Sequence, residues 1–360
     1  MKEKIDIITN AFAGKRVFVT GHTGFKGSWM VAWLHLLGAN VRGYALAPQG
    51  KDALYSQIDG DKLCDSVIAD IRDEAKLKQE LVSFRPDFVF HLAAQPLVRK
   101  SYEIPLETFD TNVMGTAYVL NAVRDVSTPC TAVIITTDKV YENREWLYPY
   151  RENEPLGGYD PYSASKAACE IVCGAYRNSY FNPSDYVTHK KSISTARAGN
   201  VIGGGDWAEN RIIPDLIRAF SKKQELSVRN PEAIRPWQHV MEPLFGYLLL
   251  AALMAKEPIR FAAAWNFGPE AKDTLTVKDL VEIAIKQWGS GQMRVENPKH
   301  QYHEANLLKL DISMAVGMLG WTPRYSAEKS IEVTINWYKD YLDGKNAFDI
   351  MKDQIKAYTS

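Results

Sequence analysis

Tyr162 and Lys166 stand four residues apart in Tyr162-Ser163-Ala164-Ser165-Lys166, a spacing that puts two side chains on one face of a helix. An ammonium beside a phenol favours the phenolate and lowers the hydroxyl below its usual ~10. The result is a proton acceptor able to work near neutral pH. Upstream, Thr136-Thr137-Asp138-Lys139 brings hydroxyls, a carboxylate and an amine into four consecutive positions at the end of an apolar run. Tyr-x-x-x-Lys occurs by chance on many helices, so its meaning depends on the rest of the chain.

A second chemical segment opens the chain. Arg16-Val17-Phe18-Val19-Thr20 is an apolar run that ends in Gly21-His22-Thr23-Gly24-Phe25-Lys26-Gly27, and the apolar stretch containing Trp29, Val31, Ala32, Leu34 and Leu36 follows. This reads as strand, tight loop, helix. Glycines there let backbone approach a pyrophosphate, and the helix start offers free N–H groups at the positive end of its dipole. The spacing Gly-x-x-Gly-x-x-Gly is one residue longer than the common Gly-x-Gly-x-x-Gly form. No acid closes the next strand, Val41-Arg42-Gly43-Tyr44-Ala45-Leu46, so the ribose rule does not choose between NAD and NADP. Asp70, followed by Ile71, closes the third strand and is expected on the adenine side of a dinucleotide.

The elements that must position these residues alternate through the first 200 positions. Strands are expected at 16–20, 41–46, 66–69, 87–92, 131–136 and 192–197, and helices at 27–38, 73–84, 106–126 and 162–181. Such alternation predicts a doubly wound α/β fold, a parallel sheet covered by helices on both faces. Ligands then gather at the carboxyl ends of the strands, where Gly21, Asp70, Leu92-Ala93-Ala94-Gln95 and Thr136 to Lys139 all fall. Beyond residue 200 the pattern changes and Gly, Pro, Trp and Arg become frequent. We expect a nucleotide-binding domain over 1–200, with the chain returning to it around 238–265. A smaller mixed α/β lobe is expected from 201–237 and 266–360.

The 360 residues suffice for a large core, and 43 basic residues balance 43 acidic ones, which argues against a basic nucleic-acid surface. Met1 to Asn10 carries Glu3 and Asp6 and no apolar h-region, so no secretory signal is expected. The longest apolar run, Leu244 to Ala255, is too short for a bilayer and reads as a core helix, leaving no membrane partner. Cys64, Cys130, Cys169 and Cys173 form no metal-ligand pattern and read as free thiols of a cytoplasmic protein. His22, His239 and His303 lack metal spacing.

Taken together, Thr20-Gly21-x-x-Gly24-Phe25-x-Gly27, His91-Leu92-Ala93-Ala94, Thr111-Asn112-Val113-x-Gly115-Thr116, Tyr162-x-x-x-Lys166 and Arg197-x-Gly199-Asn200-Val201 resemble the extended short-chain dehydrogenase/reductase family over nearly the whole chain. The resemblance implies a Rossmann-type fold with a C-terminal substrate lobe and a retained NAD. It places Gly21, Thr23, Gly24, Phe25, Gly27, Asp70, Ile71, Leu92, Ala93, Ala94, Gln95, Thr136, Tyr162 and Lys166 at the cofactor. Within the family, Asp138-Lys139 is similar to the acid/base pair of nucleotide-sugar 4,6-dehydratases, where dTDP-glucose enzymes carry Asp-Glu. Epimerases generally carry no such pair.

The segments Gly21 to Trp29, Arg197 to Trp207 and Arg235 to Val240 resemble enzymes whose substrate is CDP-D-glucose, used in dideoxysugar and O-antigen lipopolysaccharide synthesis. The implied roles are Tyr162 as base at the sugar 4-hydroxyl, Lys166 on the cofactor ribose, and Thr137 on the 4-oxygen. Lys139 is the implied base at C5 and Asp138 the acid at the 6-hydroxyl. Arg211 and Arg235 are expected on the diphosphate, with Asn200, His239, Asn266 and His303 as further substrate contacts. A homodimer, or a dimer of dimers, is implied through the helices at 106–126 and 162–181. Open alternatives are a UDP-N-acetylglucosamine-type dehydratase, a nucleotide-sugar 4-epimerase, and a non-catalytic NAD-binding scaffold.

Overall fold

The computed structural model describes residues 1–296 and 307–360. Seven strands, β1 Arg16–Thr20, β2 Asn40–Ala45, β3 Asp65–Ile68, β4 Phe88–His91, β5 Cys130–Ile135, β6 Lys191–Ala198 and β7 Ala264–Phe267, form one sheet in the order β7-β6-β5-β4-β1-β2-β3. Every pairing in it is parallel. β1 lies between β2 and β4, so the chain reverses direction across the sheet at β1, the point at which open α/β sheets bind ligands. The six strands expected from the sequence all form, within about a residue of the expected bounds. β7 joins them only after an excursion through the second lobe, and the sheet keeps the chain through Phe267, past the boundary expected at 265.

Two apolar layers flank the sheet. On one face, helix α1 (Phe25–Leu36) is buried nearly all round, with Trp29, Trp33 and Leu34 in the core and Trp33 against Phe245 and Tyr358. On the other, Phe18, Tyr44, Leu77, Leu81, Val119 and Val123 form a separate cluster. The apolar run around Leu244 lies in the helix Met241–Lys256, which is buried on every side as a core helix must be. Among the described residues no helix is long and apolar enough to cross a membrane. The four cysteines are free thiols.

The expected single helix at 106–126 is interrupted. Pro105–Phe109 leads into a π-turn at Asp110–Met114, and only then does helix α2 (Gly115–Arg124) begin. Asn112 explains the break. Its carbonyl accepts hydrogen bonds from Thr116 Oγ1 (2.7 Å) and Cys169 Sγ (3.1 Å), while its side chain reaches Gln95 N and Ser165 Oγ (both 2.8 Å). A π-turn widens the helix to admit such contacts.

The second lobe is built from short paired strands and helices. Leu226–Val228 pairs with Met293–Val295, and Ile234–Arg235 with Leu275–Thr276. Helix α4 (Val277–Trp288) starts on a Thr276/Asp279 capping box and ends on Gly289 at φ +96°. Helix α5 (Ala327–Leu342) uses Trp337 and Tyr338 to hold the Gly203–Asp206 loop over the sheet edge: Tyr338 Oη donates to Asp206 O at 2.5 Å. Helix α3 (Pro161–Ser179) carries the Tyr/Lys pair and packs beside α2.

Candidate active site

A cleft of about 1590 Å³ runs along the carboxyl ends of the strands, between the sheet and the second lobe. The glycine loop forms one wall. Gly21 takes φ +72°, and a Cβ there would lie 2.7 Å from Ala93 N, while one on Gly27 would lie 2.0 Å from Gly21 O. Side chains are therefore excluded at both positions. No side chain caps the N-terminus of α1, so its first amides are left for a ligand at the positive end of the helix. Thr23, Gly24, Phe25, Ile71, Leu92, Ala93, Ala94 and Thr136 also line the cleft. Asp70 does too, but its carboxylate is gripped by Arg72 (2.6 Å), which holds it below its usual range.

Asp160 and Pro161 start α3 in the manner helices favour. The Asp160 carboxylate accepts Ser163 N (2.9 Å) and Ser163 Oγ (2.6 Å), and proline occupies the first helical position. Tyr162 and Lys166 thus enter the cleft from the first turns of a well-capped helix. The Lys166 ammonium donates to Ile135 O at 2.8 Å, at the end of β5.

The lowering of Tyr162 by Lys166 expected from spacing is not found. Burial pushes the phenol up to about 12, against the opposing hydrogen bond with Thr137 and the charge of Arg211. Spacing gives the shared face; it does not give the desolvation that decides the titration.

Past β5 the chain makes a short turn, Asp138–Val140, capped by Thr137. Asp138 is buried, and its Oδ1 accepts Thr137 Oγ1 (3.0 Å) and Lys139 Nζ (3.1 Å). Lys139 Nζ also reaches Asn200 Oδ1 at 3.2 Å. The close approach of Gly199, where a Cβ would sit 3.2 Å from Asp138 Oδ2 and 2.9 Å from the Pro236 ring, brings the 199–200 and 235–237 segments over this pair. A plain surface pair at a strand end is thereby ruled out for Asp138.

Arg211 and Arg235 line the cleft. Arg211 pairs with buried Asp206 at 2.9 Å, and its charge acts on both Tyr162 and Lys26. Three expected ligand contacts are corrected. His239 is fully buried between the rings of Trp29 and Tyr325, and burial holds its imidazole down at about 3. Asn266 is buried too: its amide donates to Tyr150 O (2.9 Å) and Asp311 O (3.1 Å) and accepts Tyr141 Oη (2.7 Å). Gln95 does not line the cleft; it folds the 95–97 loop through Leu97 and Thr108. His303 lies outside the described residues.

The sequence reasoning passed over one further cleft side chain, Lys26. It lies in the cleft wall with its Nζ 5.8 Å from the Tyr247 ring, and burial together with Arg211 and Lys166 lowers its ammonium to about 7. Its place within the glycine loop was the available signal.

A model of the GDP-mannose 4,6 dehydratase family matches residues 18–334. The chain belongs to that family. The family lies within the extended short-chain dehydrogenases/reductases, as the motifs implied. The chain is 48% identical over 351 residues to a CDP-glucose 4,6-dehydratase of Salmonella typhimurium, covering 98% of each. A dTDP-glucose 4,6-dehydratase of Streptomyces antibioticus is 29% identical over 90% of this chain and 92% of its own. Among solved structures, the dTDP-glucose 4,6-dehydratase of Streptomyces venezuelae, with NAD bound, superposes with a TM-score of 0.77 at 26% identity, over 92% of this chain and 99% of that one.

Proposed function

We propose that this chain is an NAD-dependent nucleotide-sugar 4,6-dehydratase that converts CDP-D-glucose to CDP-4-keto-6-deoxy-D-glucose. The observation that carries the reading is the Asp138–Lys139 pair, 3.1 Å apart in the same cleft as Tyr162, in a chain nearly half identical to a CDP-glucose 4,6-dehydratase. An epimerase has no use for a second acid/base pair beside the sugar.

The residues present fit NAD: uncapped amides of α1 and the side-chain-free Gly21 and Gly27 suit a pyrophosphate, and Lys166, held at the end of β5, would hold a ribose. Bound NAD+ supplies the acceptor for the hydrogen leaving C4 and, once reduced, the donor to C6. Thr137 and Tyr162 hold the 4-oxygen, and Tyr162 takes the 4-hydroxyl proton. The 4-ketone so formed acidifies C5. Lys139 removes the C5 proton while Asp138 protonates the departing 6-hydroxyl, which leaves as water, and the Lys139 ammonium gives a proton back to C5 as C6 is reduced. This step requires a free amine at Lys139 and a proton on Asp138. Asn200, within 3.2 Å of Lys139, orients the amine. Arg211 and Arg235 present guanidinium groups to the diphosphate.

The test is incubation of the purified protein with CDP-, dTDP-, UDP- and GDP-hexoses, followed by mass measurement. Loss of one water from CDP-glucose, faster than from the others, is the expected result. Unchanged mass with a C4-inverted sugar would establish an epimerase, and loss of water from a different nucleotide sugar alone would reassign the substrate.

The same reading includes a homodimer. Leu106, Phe109, Met114 and Ile171 stay exposed on the helices that flank the cleft's back. Val119 and Leu120, on the same stretch of chain, are buried in the protomer's own core and take no part in that face. A self-complementary apolar patch is a common route to a two-fold dimer. Sedimentation should give an even-numbered assembly of the 40.6 kDa chain, whereas a monomer alone at micromolar concentration would remove this part of the reading.

A further inference from the structure

One carboxylate of α3 has no part in the chemistry above, yet it is bound at both oxygens in the interior. Glu170 follows Lys166 by four residues and Tyr162 by eight, so it continues their stripe about 12 Å along the helix. Its Oε1 accepts the hydroxyl of Thr136, the last residue of the apolar run before the acid/base turn. Its Oε2 accepts Thr195 Oγ1 on β6 at 2.7 Å and Arg197 Nη2 at 2.9 Å. Arg197 then reaches across with Nη1 to Tyr141 Oη (2.8 Å) and Glu152 O (2.9 Å), and Tyr141 donates onward to Asn266 Oδ1. Glu170, Arg197, Thr136, Thr195, Tyr141 and Asn266 are all buried.

Thr136 stands two residues before Asp138, and Tyr141 two residues after Lys139. The network thus holds the acid/base turn at both ends and ties it to the helix that carries Tyr162. We propose that Glu170, through Thr136 on one side and Arg197–Tyr141 on the other, is the positioning residue that fixes Asp138 and Lys139 relative to Tyr162.

A buried ion pair is a poor stabiliser compared with apolar side chains of the same volume, because both charges must leave water. A helix packed on β5 and β6 solely for stability has no need of one. What the charges supply is direction: a carboxylate with three donors and a guanidinium with fixed fork geometry admit one arrangement, while apolar contacts tolerate sliding. The carboxylate remains ionised, because Arg197 and the Thr136 and Thr195 hydroxyls outweigh the burial that would otherwise raise it. Catalytic groups displaced by about 1 Å lose on the order of 10²-fold in rate, so a clamp on the turn acts directly on elimination.

The inference rests on the dehydratase reading and separates from it experimentally. Glu170→Gln keeps the size and leaves Arg197 unbalanced; Thr136→Val and Tyr141→Phe each remove one end of the clamp and spare the ion pair. Each variant, first shown to be folded by circular dichroism, is mixed with CDP-glucose while NADH absorbance and water loss are followed. Amide hydrogen exchange across 137–141 is measured on the same proteins without substrate.

We expect Glu170→Gln to lose on the order of 10²-fold in kcat with KM changed less than about threefold. Bound NADH should persist because elimination slows more than C4 oxidation. The two end variants should show the same shift to a smaller degree, and exchange should rise across 137–141 in all three. Equal slowing of oxidation and elimination, or unaltered exchange, would reduce the network to ordinary core support and overturn the inference. If Glu170→Gln fails to fold, the two end variants carry the test alone. Failure of the dehydratase reading would show instead in the wild-type protein, as oxidation without water loss, while the exchange data would still report on the clamp.

Discussion

Replacing Tyr162 by phenylalanine should abolish nearly all turnover while leaving nucleotide-sugar binding almost intact. The phenol lines the cleft beside Thr137 and within the field of Arg211, and phenylalanine keeps the ring and its contacts. Loss of a positioned general base lowers rates by roughly 10²–10⁴, so kcat should fall by that amount with a dissociation constant within about threefold of wild type. The titration adds a second readout. Burial raises Tyr162 to about 12 in the free protein, so the ionised form is the minor one at neutral pH. If C4 oxidation limits the rate, it should climb as pH rises from neutrality, because each step upward increases the phenolate fraction. The phenylalanine variant should lack that slope. A Tyr162→Phe enzyme with near-normal kcat would show that the base lies elsewhere; Lys26, lowered to about 7 in the same cleft, would then be the group to replace next.

The double replacement Asp138→Asn with Lys139→Met should separate oxidation from dehydration. Both side chains share one hydrogen bond on the cleft floor, with Asp138 buried and Lys139 partly open to the cleft. Removing the pair together avoids stranding the buried Asp138 carboxylate, which replacing Lys139 alone would do. On mixing with CDP-glucose, the variant should show a rise in NADH absorbance that does not decay, while 4-keto-6-deoxy product falls by roughly 10²–10⁴. Loss of the rise along with the product would assign the pair to oxidation or to folding. Undiminished product would remove Asp138 and Lys139 from the mechanism. Among the single variants, Lys139→Met should be slow at C5 proton removal, read as reduced solvent-deuterium incorporation at C5, and Asp138→Asn slow at loss of water.

The residues at the centre of both experiments are legible in the order of amino acids alone. A strand, glycine turn and helix at 16–36 follow from local composition, because φ > 0 at Gly21 and an apolar stretch of helical length are properties of neighbouring residues. The shared face of Tyr162 and Lys166 follows from helical geometry. Alternation of strand and helix made the sheet parallel, and a parallel sheet collects its loops at one edge. That is why Gly21, Asp70 and Asp138, far apart in the chain, are expected together and line one cleft.

Other features were settled only when distant segments met. His239 and Asn266 look like ligand contacts in sequence, yet Trp29 and Tyr325 enclose the first, and Tyr141, Tyr150 and Asp311 occupy the second. Nothing in a local pattern states which neighbours will saturate a polar group. Titration follows the same logic: Tyr162 rises instead of falling because desolvation depends on everything that surrounds the phenol, whereas spacing reports a single partner. The seventh strand joins the sheet from beyond the second lobe, and a π-turn interrupts an otherwise helical stretch because Asn112 finds Gln95 and Ser165. The sequence by itself determined which chemical groups the chain has and the local elements that carry them, since backbone preference and side-chain periodicity are short-range. Only the tertiary structure decided which of those groups are free to act, since burial, charge pairing and the Glu170–Arg197 tie between helix and sheet are made by residues from separate elements.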